Sequence, residues 1–333
     1  KDILLTSQQV PAKSEFKELA KKSVQYTATS LTQLDWYGKL HPNTDVTVRF
    51  NIGLSSSWTK RLATGGRAAS FGIYEKYDEV ERLLKKYDLT LTRIHIHVGS
   101  GAHPKDQKKV AKAALKICDK FATVGTVNVG GGFKVARVKG ERQTDVAELS
   151  QSGAKLFRGY YKKTGRKIHM EIEPGTALIA NAGYIVASIT DIVDTGNAGM
   201  KFVKVDAGMT LNTRVALYGA QHPIWHIPRG ARTRAKMDRY IVVGEACESS
   251  DILTCKPNDP ETQREIPLRN PRVGDLLVIG GAGAYCASMS VFNYNSKQQA
   301  PEYLLSSKGK LQQIRKRQTP EEVWGDDILI QVG

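Results

Sequence analysis

Short β-branched strands alternate with amphipathic segments over the first 175 residues of the chain. Helical spacing of apolar residues predicts helices that include residues 74–86 and 107–120. Strands that alternate with helices indicate βαβ units in a parallel sheet, and about 30 residues per unit gives about six units. The predicted strands are residues 3–7, 24–30, 46–51, 93–98, 126–130 and 167–173.

Four of these strands carry polar side chains on one face and apolar side chains on the other, as period-two alternation requires. An open doubly wound sheet would bury both faces and produce near-continuous apolar runs. A barrel with a functional mouth at the carboxyl ends of its strands accounts for the polar positions. We therefore predict a (β/α)8-type barrel with about six of its eight units. The polar positions are Thr47, Arg49, Asn51, Arg93, His95, His97, Thr126, Asn128, Gly130, His169, Glu171 and Glu173.

The pattern changes after residue 175. Strand-like runs at 184–193, 202–206, 240–243 and 275–279 are separated by Gly, Pro and Asn turns, which predicts a mostly antiparallel β domain. Near the end, Thr319 is a good N-cap, Pro320 stands at the first helical position, and Glu322 completes a capping box. We expect a barrel domain at 1–175 and a β domain at 176–333 that ends in a short helix.

Composition narrows the class of protein. Of 333 residues, 41% are apolar and 25% charged, which is ordinary for a soluble globular protein. No apolar run approaches the about 20 residues of a membrane span, and no secretory signal or metal-ligand pattern stands out. The four cysteines lack CxxC spacing, so we expect reduced thiols in a cytoplasmic protein.

The net charge of +16 raises the possibility of a nucleic-acid-binding module. The basic residues are scattered in short clusters, and no recognition motif or aromatic–basic interleaving accompanies them. Solvated faces explain the charge better, with some attraction of anionic substrates. We predict no nucleic-acid partner and no membrane partner.

Glycine-rich stops follow three predicted strands: Gly99-Ser100-Gly101, Gly130-Gly131-Gly132 and Pro174-Gly175. Each alone is typical of a tight turn, but three at the same end of neighbouring strands favour a phosphorylated ligand. A fourth glycine stretch at 281–285 lacks the third glycine of a dinucleotide fingerprint.

The stretch from His169 to Gly175 places three ionisable side chains on one strand face, where they require partners or a cofactor. Each candidate also has a plainer explanation. Glu173 could form a structural ion pair with Arg49, and His97 could be a satisfied core histidine. Cys247 could be a small buried residue, although its neighbours in 244–251 are carboxylates and hydroxyls.

Seven ordered motifs resemble the pyridoxal-phosphate (PLP) decarboxylases of the alanine-racemase-like fold, over nearly the whole chain. The motif around Cys247 resembles diaminopimelate decarboxylases, whereas ornithine decarboxylases carry Asp-Gly after that cysteine. The motifs are His97-Val98-Gly99-Ser100, Gly130-Gly131-Gly132-Phe133, Glu173-Pro174-Gly175, Asp206-Ala207-Gly208-Met209, Leu217-Tyr218-Gly219-Ala220-Gln221-His222, Cys247-Glu248-Ser249-Ser250-Asp251 and Gly281-Ala282-Gly283-Ala284-Tyr285.

The resemblance implies a PLP-binding barrel, a β domain and a head-to-tail homodimer with shared active sites. It implies that His97 stacks on the PLP ring, that Glu173 pairs with the pyridine nitrogen, and that Arg49 orients Glu173 or the ring oxygen. The remaining cofactor residues would hold the phosphate. They are Ser100, Gly132, Gly175, Thr176 and Tyr285.

The resemblance also implies a substrate site. Cys247 of a partner subunit would reprotonate the α-carbon. Arg214 and Tyr218 would bind the distal carboxylate of a diamino diacid, Glu248 would bind its distal ammonium, and Tyr285 would also be a substrate-binding residue. We therefore predict decarboxylation of meso-diaminopimelate to L-lysine. Ornithine, lysine or a carboxylated polyamine are alternative substrates, and a catalytically inactive regulatory partner is an alternative function.

The sequence departs from the family pattern at two points. The arginine that usually follows Glu-Pro-Gly is Thr176 here, which opens the question of the substrate's carboxylate site. The Schiff-base lysine lies on the first barrel strand in a Tyr-Ala-x-Lys-Ala-like motif, which the sequence lacks; neither Lys1 nor Lys13 stands in such a motif. The resemblance thus implies a chain that begins near the family's third strand.

Overall fold

The computed structural model describes residues 3–6, 8, 12–22, 24–58, 60–101, 104–230, 236–328 and 330. The chain divides into two compact units, of which the first comprises residues 1–135 and 142–177 and the second residues 136–141 and 178–333. The division of the chain into functional domains at 1–175 and 176–333 stays a prediction. Lys1 lies outside the described residues.

The first unit is a parallel sheet with helices between its strands. The sheet order is β1-β2-β3-β5-β6-β7, with β4 paired to β3. Its elements are β1 Leu4–Thr6, α1 Lys13–Lys21, β2 Gln25–Ala28, α2 Leu31–Leu40, β3 Asp45–Asn51, β4 Ile73–Tyr74, α3 Tyr77–Lys86, β5 Thr90–His95, α4 Pro104–Lys120, β6 Thr126–Gly131, α5 Val146–Thr164, β7 His169–Glu173 and α6 Gly175–Ile179.

Both faces of this sheet are buried near its middle. On β3, Val48 and Phe50 pack with Val80 of α3 and Ile117 of α4 in the apolar core. The alternate residues of the strands are polar and equally buried, as an inward barrel face requires. These buried polar residues are Thr47, Arg49, Asn51, His95 and Asn128. The six predicted strands occur, and the predicted barrel class is confirmed by this partial barrel.

Local sequence signals fix several helix ends. The Asp145 carboxylate accepts a hydrogen bond from the Glu148 amide (2.9 Å) at the start of α5, and Gly165 ends that helix with a left-handed φ of 71°.

The helix predicted at 74–86 was wrong at its start, because Ile73 and Tyr74 pair with β3.

The second unit contains a six-stranded sheet in the order β10-β15-β8-β9-β11-β14, antiparallel except for the β9–β11 pair. The mostly antiparallel prediction is therefore confirmed, as is the capping box of Thr319 and Glu322. The elements are β8 Tyr184–Asp194, β9 Lys201–Val205, α7 Arg214–Tyr218, β10 Ile224–Ile227, β11 Met237–Val243, β12 Cys255–Lys256, β13 Asp259–Gln263, β14 Ile266–Arg269, β15 Leu276–Gly280, β16 Glu302–Leu305, β17 Leu311–Arg315 and α8 Pro320–Trp324.

Candidate active site

Glu173 ends β7 in the first unit and carries an accessible carboxylate. Its Oε1 accepts a hydrogen bond from Asn128 Nδ2 (3.0 Å) and lies 3.5 Å from His95 Nε2. Contact with His95 is the main cause that lowers the pKa of the Glu173 carboxyl, and Asn128 adds to it. The side chain is 43% exposed, so an ionised carboxylate faces a potential ligand.

Arg49 lies on β3 and is only 7% exposed. Its Nη2 donates to the carbonyl oxygens of Thr64 (3.2 Å) and His97 (3.3 Å). Burial lowers the pKa of Arg49 to about 10, against the attraction of Glu173. Among the described ion pairs within 4.0 Å, none joins Arg49 to Glu173, so the simple structural pair considered from the sequence is absent.

His97 follows β5 and is held as a neutral ring. Its Nδ1 accepts a hydrogen bond from the Gly131 amide (3.2 Å), so the ring proton of the neutral form belongs on Nε2. Burial lowers the pKa of His97 to about 4, and the positive charge of Arg49 contributes. The ring is therefore uncharged near neutral pH.

The glycine turns after β5 and β6 pack directly on each other. Gly132 has a left-handed φ of 84°, and a Cβ there would lie 2.1 Å from the Gly99 carbonyl oxygen. The Gly101 amide donates to the Gly132 carbonyl (2.7 Å), and the Ser100 amide donates to Leu62 (3.3 Å). These two amides already have partners within the protein, so they are not free to bind a phosphate.

Gly175 and Thr176 open the five-residue helix α6 directly after Pro174. Among the residues that the structure describes, an added Cβ at Gly175 would meet no atom within 4 Å, and its backbone is not left-handed. Gly175 thus differs from Gly132, whose neighbours exclude any side chain.

In the second unit, a buried carboxylate organises the loop that carries Cys247. Asp251, 3% exposed, accepts hydrogen bonds from the amides of Met209 (2.6 Å) and Ala246 (2.9 Å). Burial raises the pKa of this carboxyl, while the two amides oppose that shift. A Cβ at Gly244 would approach the Asp251 carboxylate to 2.2 Å, which explains a glycine there. The Cys247 side chain remains exposed.

Glu248 follows Cys247 and is fixed by several donors. Its Oε1 accepts from the Ser250 amide (3.2 Å) and hydroxyl (3.1 Å), and its Oε2 accepts from the Tyr294 hydroxyl (3.2 Å). The Ser250 amide is the main cause that lowers the pKa of Glu248. This carboxylate is therefore suited to receive a cation.

Arg214 begins α7 and is 7% exposed. Its guanidinium carbon lies 5.9 Å from the ring centroids of both Tyr218 and Tyr285. Tyr285 has a left-handed φ of 59°, which is uncommon for a bulky residue and marks a constrained position. The structure therefore brings together three of the four residues expected around a substrate carboxylate and ammonium.

Sequence reasoning missed several partners of these residues. His95 and Asn128 were visible on the polar strand faces, but nothing in the sequence assigned them to Glu173. Asp251 is the last residue of the motif at 247–251, but the sequence analysis assigned no role to it. Arg137, whose Nε donates to the Gly281 carbonyl oxygen (3.1 Å) in the motif that ends at Tyr285, lies in an irregular segment after β6, where no periodicity pointed to it.

The family model of the pyridoxal-binding domain of pyridoxal-dependent decarboxylases matches residues 2–180. The diaminopimelate decarboxylase of Buchnera aphidicola subsp. Acyrthosiphon pisum is 32% identical over 309 residues, which are 92% of this chain and 73% of that protein. The Escherichia coli K12 enzyme of the same name is 29% identical, with 98% of this chain and 77% of that protein covered.

Solved structures show the same relation. A diaminopimelate decarboxylase crystal structure aligns with a TM-score of 0.90 and 28% identity, over 99% of this chain and 77% of that one. The Helicobacter pylori diaminopimelate decarboxylase complexed with L-lysine aligns with a TM-score of 0.81 and 25% identity, over 98% and 78%. The chain thus spans about three quarters of the length of these relatives, and it belongs to the pyridoxal-dependent decarboxylase family whose cofactor is pyridoxal 5'-phosphate.

Proposed function

We propose that this protein removes one carboxyl group from meso-diaminopimelate and forms L-lysine, with PLP as cofactor. The observation that carries the proposal is the ionised Glu173 carboxylate, which Asn128 and His95 hold at the carboxyl end of β7. Relatives that carry the name diaminopimelate decarboxylase support the choice of substrate.

The residues of the first unit fit the cofactor. Within the described part of the chain, Arg49 Nε and His95 Nδ1 are buried without a hydrogen-bond partner, while His95 Nε2 lies 3.5 Å from Glu173 Oε1. Unsatisfied buried polar atoms are costly in a folded protein, and their presence beside Glu173 favours a polar ligand at this place. Arg49, His97, Ser100, Gly132, Glu173, Gly175 and Thr176 are the residues of this unit that we propose hold PLP.

When bound, PLP supplies a protonated pyridine ring that accepts the electron pair left on the α-carbon as CO2 departs. Glu173 would hold the proton at the ring nitrogen, because a carboxylate of lowered pKa stabilises the adjacent positive charge. The neutral His97 ring can pack against an aromatic ligand without adding charge. The Ser100 and Thr176 hydroxyls would donate to phosphate oxygens.

The second unit supplies the substrate groups in this proposal. The Cys247 thiol would donate a proton to the α-carbon after CO2 has left. Glu248 would bind the distal ammonium, and Arg214 the distal carboxylate. Tyr218 and Tyr285 flank Arg214 and would complete that carboxylate site.

We further propose a homodimer in which Cys247 serves the cofactor residues of the partner copy. An exposed apolar row on the second unit's sheet supports an interface: Val186, Trp225 and Val278 are cross-strand neighbours, and the first two are 63% and 48% exposed. Sedimentation that gives a monomer at micromolar concentration would contradict the dimer.

We place the protein in the cytoplasm because all four cysteines are free thiols. The described helices include none long and apolar enough to cross a membrane. Localisation of a tagged copy to the periplasm or exterior would overturn this assignment.

The decisive test is release of CO2 by the protein supplied with PLP. We expect stoichiometric lysine from meso-diaminopimelate and at least about 100-fold lower kcat/KM with ornithine or lysine, which lack a distal carboxylate. Equal rates with ornithine would overturn the substrate assignment. No CO2 from any of these amino acids, with PLP bound, would favour a regulatory role instead.

A further inference from the structure

Arg137 belongs to the second unit, in the segment 136–141. Its Nε donates to the Gly281 carbonyl oxygen (3.1 Å), and its stem lies over Gly281, where a Cβ would come within 2.8 Å of Arg137 Cδ. The Arg137 Nη2 is buried and has no hydrogen-bond partner within the described residues. The guanidinium is thus positioned by the turn after β15, with donor capacity left over.

Arg214 is a second buried guanidinium in the same unit, and its Nε also lacks a partner among the described residues. Burial is the main cause that lowers the pKa of Arg137, and the charge of Arg214 lowers it further. Two buried like charges close enough to act on each other are unfavourable unless an anion compensates them.

The protein itself supplies little compensation. No described ion pair within 4.0 Å connects a carboxylate to Arg137 or Arg214. Glu141 is the nearest candidate for Arg137, but its Oε2 accepts from the Arg137 backbone amide (2.7 Å) rather than from the guanidinium. Its negative charge attracts both arginines without a direct bond to either.

His222 borders the same cluster as a neutral residue. Its Nδ1 donates to the Gly280 carbonyl (2.8 Å), which leaves the buried Nε2 without a partner in the described chain. Burial lowers the pKa of His222 to about 4, and both arginines contribute. The unprotonated His222 Nε2 is an acceptor, so the unpaired donors of this cluster are Arg137 Nη2 and Arg214 Nε. Two positive charges with unused donors favour an anion with fork-like acceptors.

We propose that Arg137 is a substrate-binding residue that, together with Arg214, binds the distal carboxylate of the diamino diacid. The inference rests on the proposed function and deepens it. The family resemblance implies an arginine where this chain has Thr176, and Arg137 supplies the second guanidinium from a different segment.

The chemistry of the reaction selects the test ligand. Decarboxylation removes one of the two carboxyl groups, so the carboxylate of the product L-lysine is the one that the arginines bind. Calorimetric titration of the full chain, with PLP bound, measures the affinity for L-lysine and for 1,5-diaminopentane, which lacks only that carboxylate. Arg137→Gln should weaken lysine binding at least about tenfold, the effect of about 1.4 kcal/mol, and change diaminopentane binding less than about twofold.

Arg142→Gln is the matched control, because Arg142 is exposed and lies five residues further along. It should leave lysine binding unchanged. If Arg137→Gln lowers the melting temperature, Arg137→Lys provides a second measurement, because lysine keeps the positive charge but loses the planar fork. The Arg137→Lys variant should bind lysine more weakly than the wild type and more tightly than the Arg137→Gln variant.

The two proposals fail separately. Lysine binding that is indifferent to both Arg137 variants overturns the carboxylate role, while CO2 release from diaminopimelate still supports the function. If the wild type releases no CO2 from diaminopimelate, but lysine binding weakens in the Arg137 variants and not in the control, the proposed function is overturned and the anion site is supported.

Discussion

The two units hold their ionisable groups in different ways. In the first unit, Glu173 and its partners Asn128 and His95 stand on neighbouring parallel strands. In the second, Arg214 stands on a five-residue helix and Cys247 on a loop that Asp251 fixes by hydrogen bonds. Strand alternation thus determines the first arrangement, whereas the second depends on a buried carboxylate and on two arginines that form no ion pair within 4.0 Å among the described residues.

Strand register explains the order of the first unit. His95 of β5 pairs with Asn128 of β6, which pairs with Glu171 of β7. Glu173 lies two residues beyond Glu171 on the same face, so its carboxylate reaches Asn128. The comparison predicts that changes at the site of the first unit act mainly on cofactor chemistry and changes at the site of the second mainly on substrate affinity. Buried histidines and constrained glycines affect stability in both units.

The largest effect is expected from Glu173→Gln. An amide cannot stabilise a proton on the ring nitrogen, so kcat should fall about 100- to 1000-fold, the range for loss of one preorganised electrostatic group. PLP binding, followed by its absorbance, should change much less. Glu171→Gln is the control. It removes a carboxylate on the same strand, one that pairs with Arg93 (3.1 Å), and the variant should keep most of the activity. Equal losses in both variants would contradict the role of Glu173.

The next effect concerns acid stability. The pKa of His222, 5% exposed, is depressed from 6.5 to about 4, so below pH 6.5 the unfolded chain takes up a proton that the folded chain refuses. The contribution of His222 to the unfolding free energy is fully present above pH 6.5 and is lost as the pH falls through about 4. The total loss is about 3 kcal/mol. His222→Asn keeps a donor for Gly280 and should flatten the slope of unfolding free energy between pH 7 and 4.5, measured in urea.

His97 in the first unit has a pKa shift of the same direction and cause. His97→Asn should therefore flatten the same pH window through the other unit, and the double variant should flatten it further. A wild-type stability that rises as pH falls from 6.5 to 4.5 would contradict both assignments.

The smallest effect compares two glycines of the proposed phosphate site. Gly132→Ala should cost about 1–3 kcal/mol of unfolding free energy, because alanine is strained at a left-handed φ, and its Cβ would also press on Gly99. Gly175→Ala meets no neighbour in the described part of the chain and should change the unfolding free energy by less than about 0.5 kcal/mol. Thermal melts of both variants check the difference; a silent Gly132→Ala would show that the turns rearrange freely.

Much of the first unit was predictable because its signals are local and periodic. The alternation in β3, β5, β6 and β7 identified Arg49, His95, Asn128 and Glu173 as one polar face before any contact was known. The bonding pattern was not predictable: Arg49 donates to the carbonyls of Thr64 and His97, far apart in sequence. The Arg137 side chain meets Gly281, 144 residues away, and no local pattern reports such a contact.

The sequence by itself determined the strand–helix alternation, the antiparallel second sheet, the terminal capping box and the family motifs, because each depends on residues a few positions apart. Only the tertiary structure decided that His97 is neutral, that the Ser100 and Gly101 amides are already bonded, and that two arginines share a buried region. Those properties depend on burial and on long-range neighbours, which set the pKa of each group and the unused hydrogen-bonding capacity of the site.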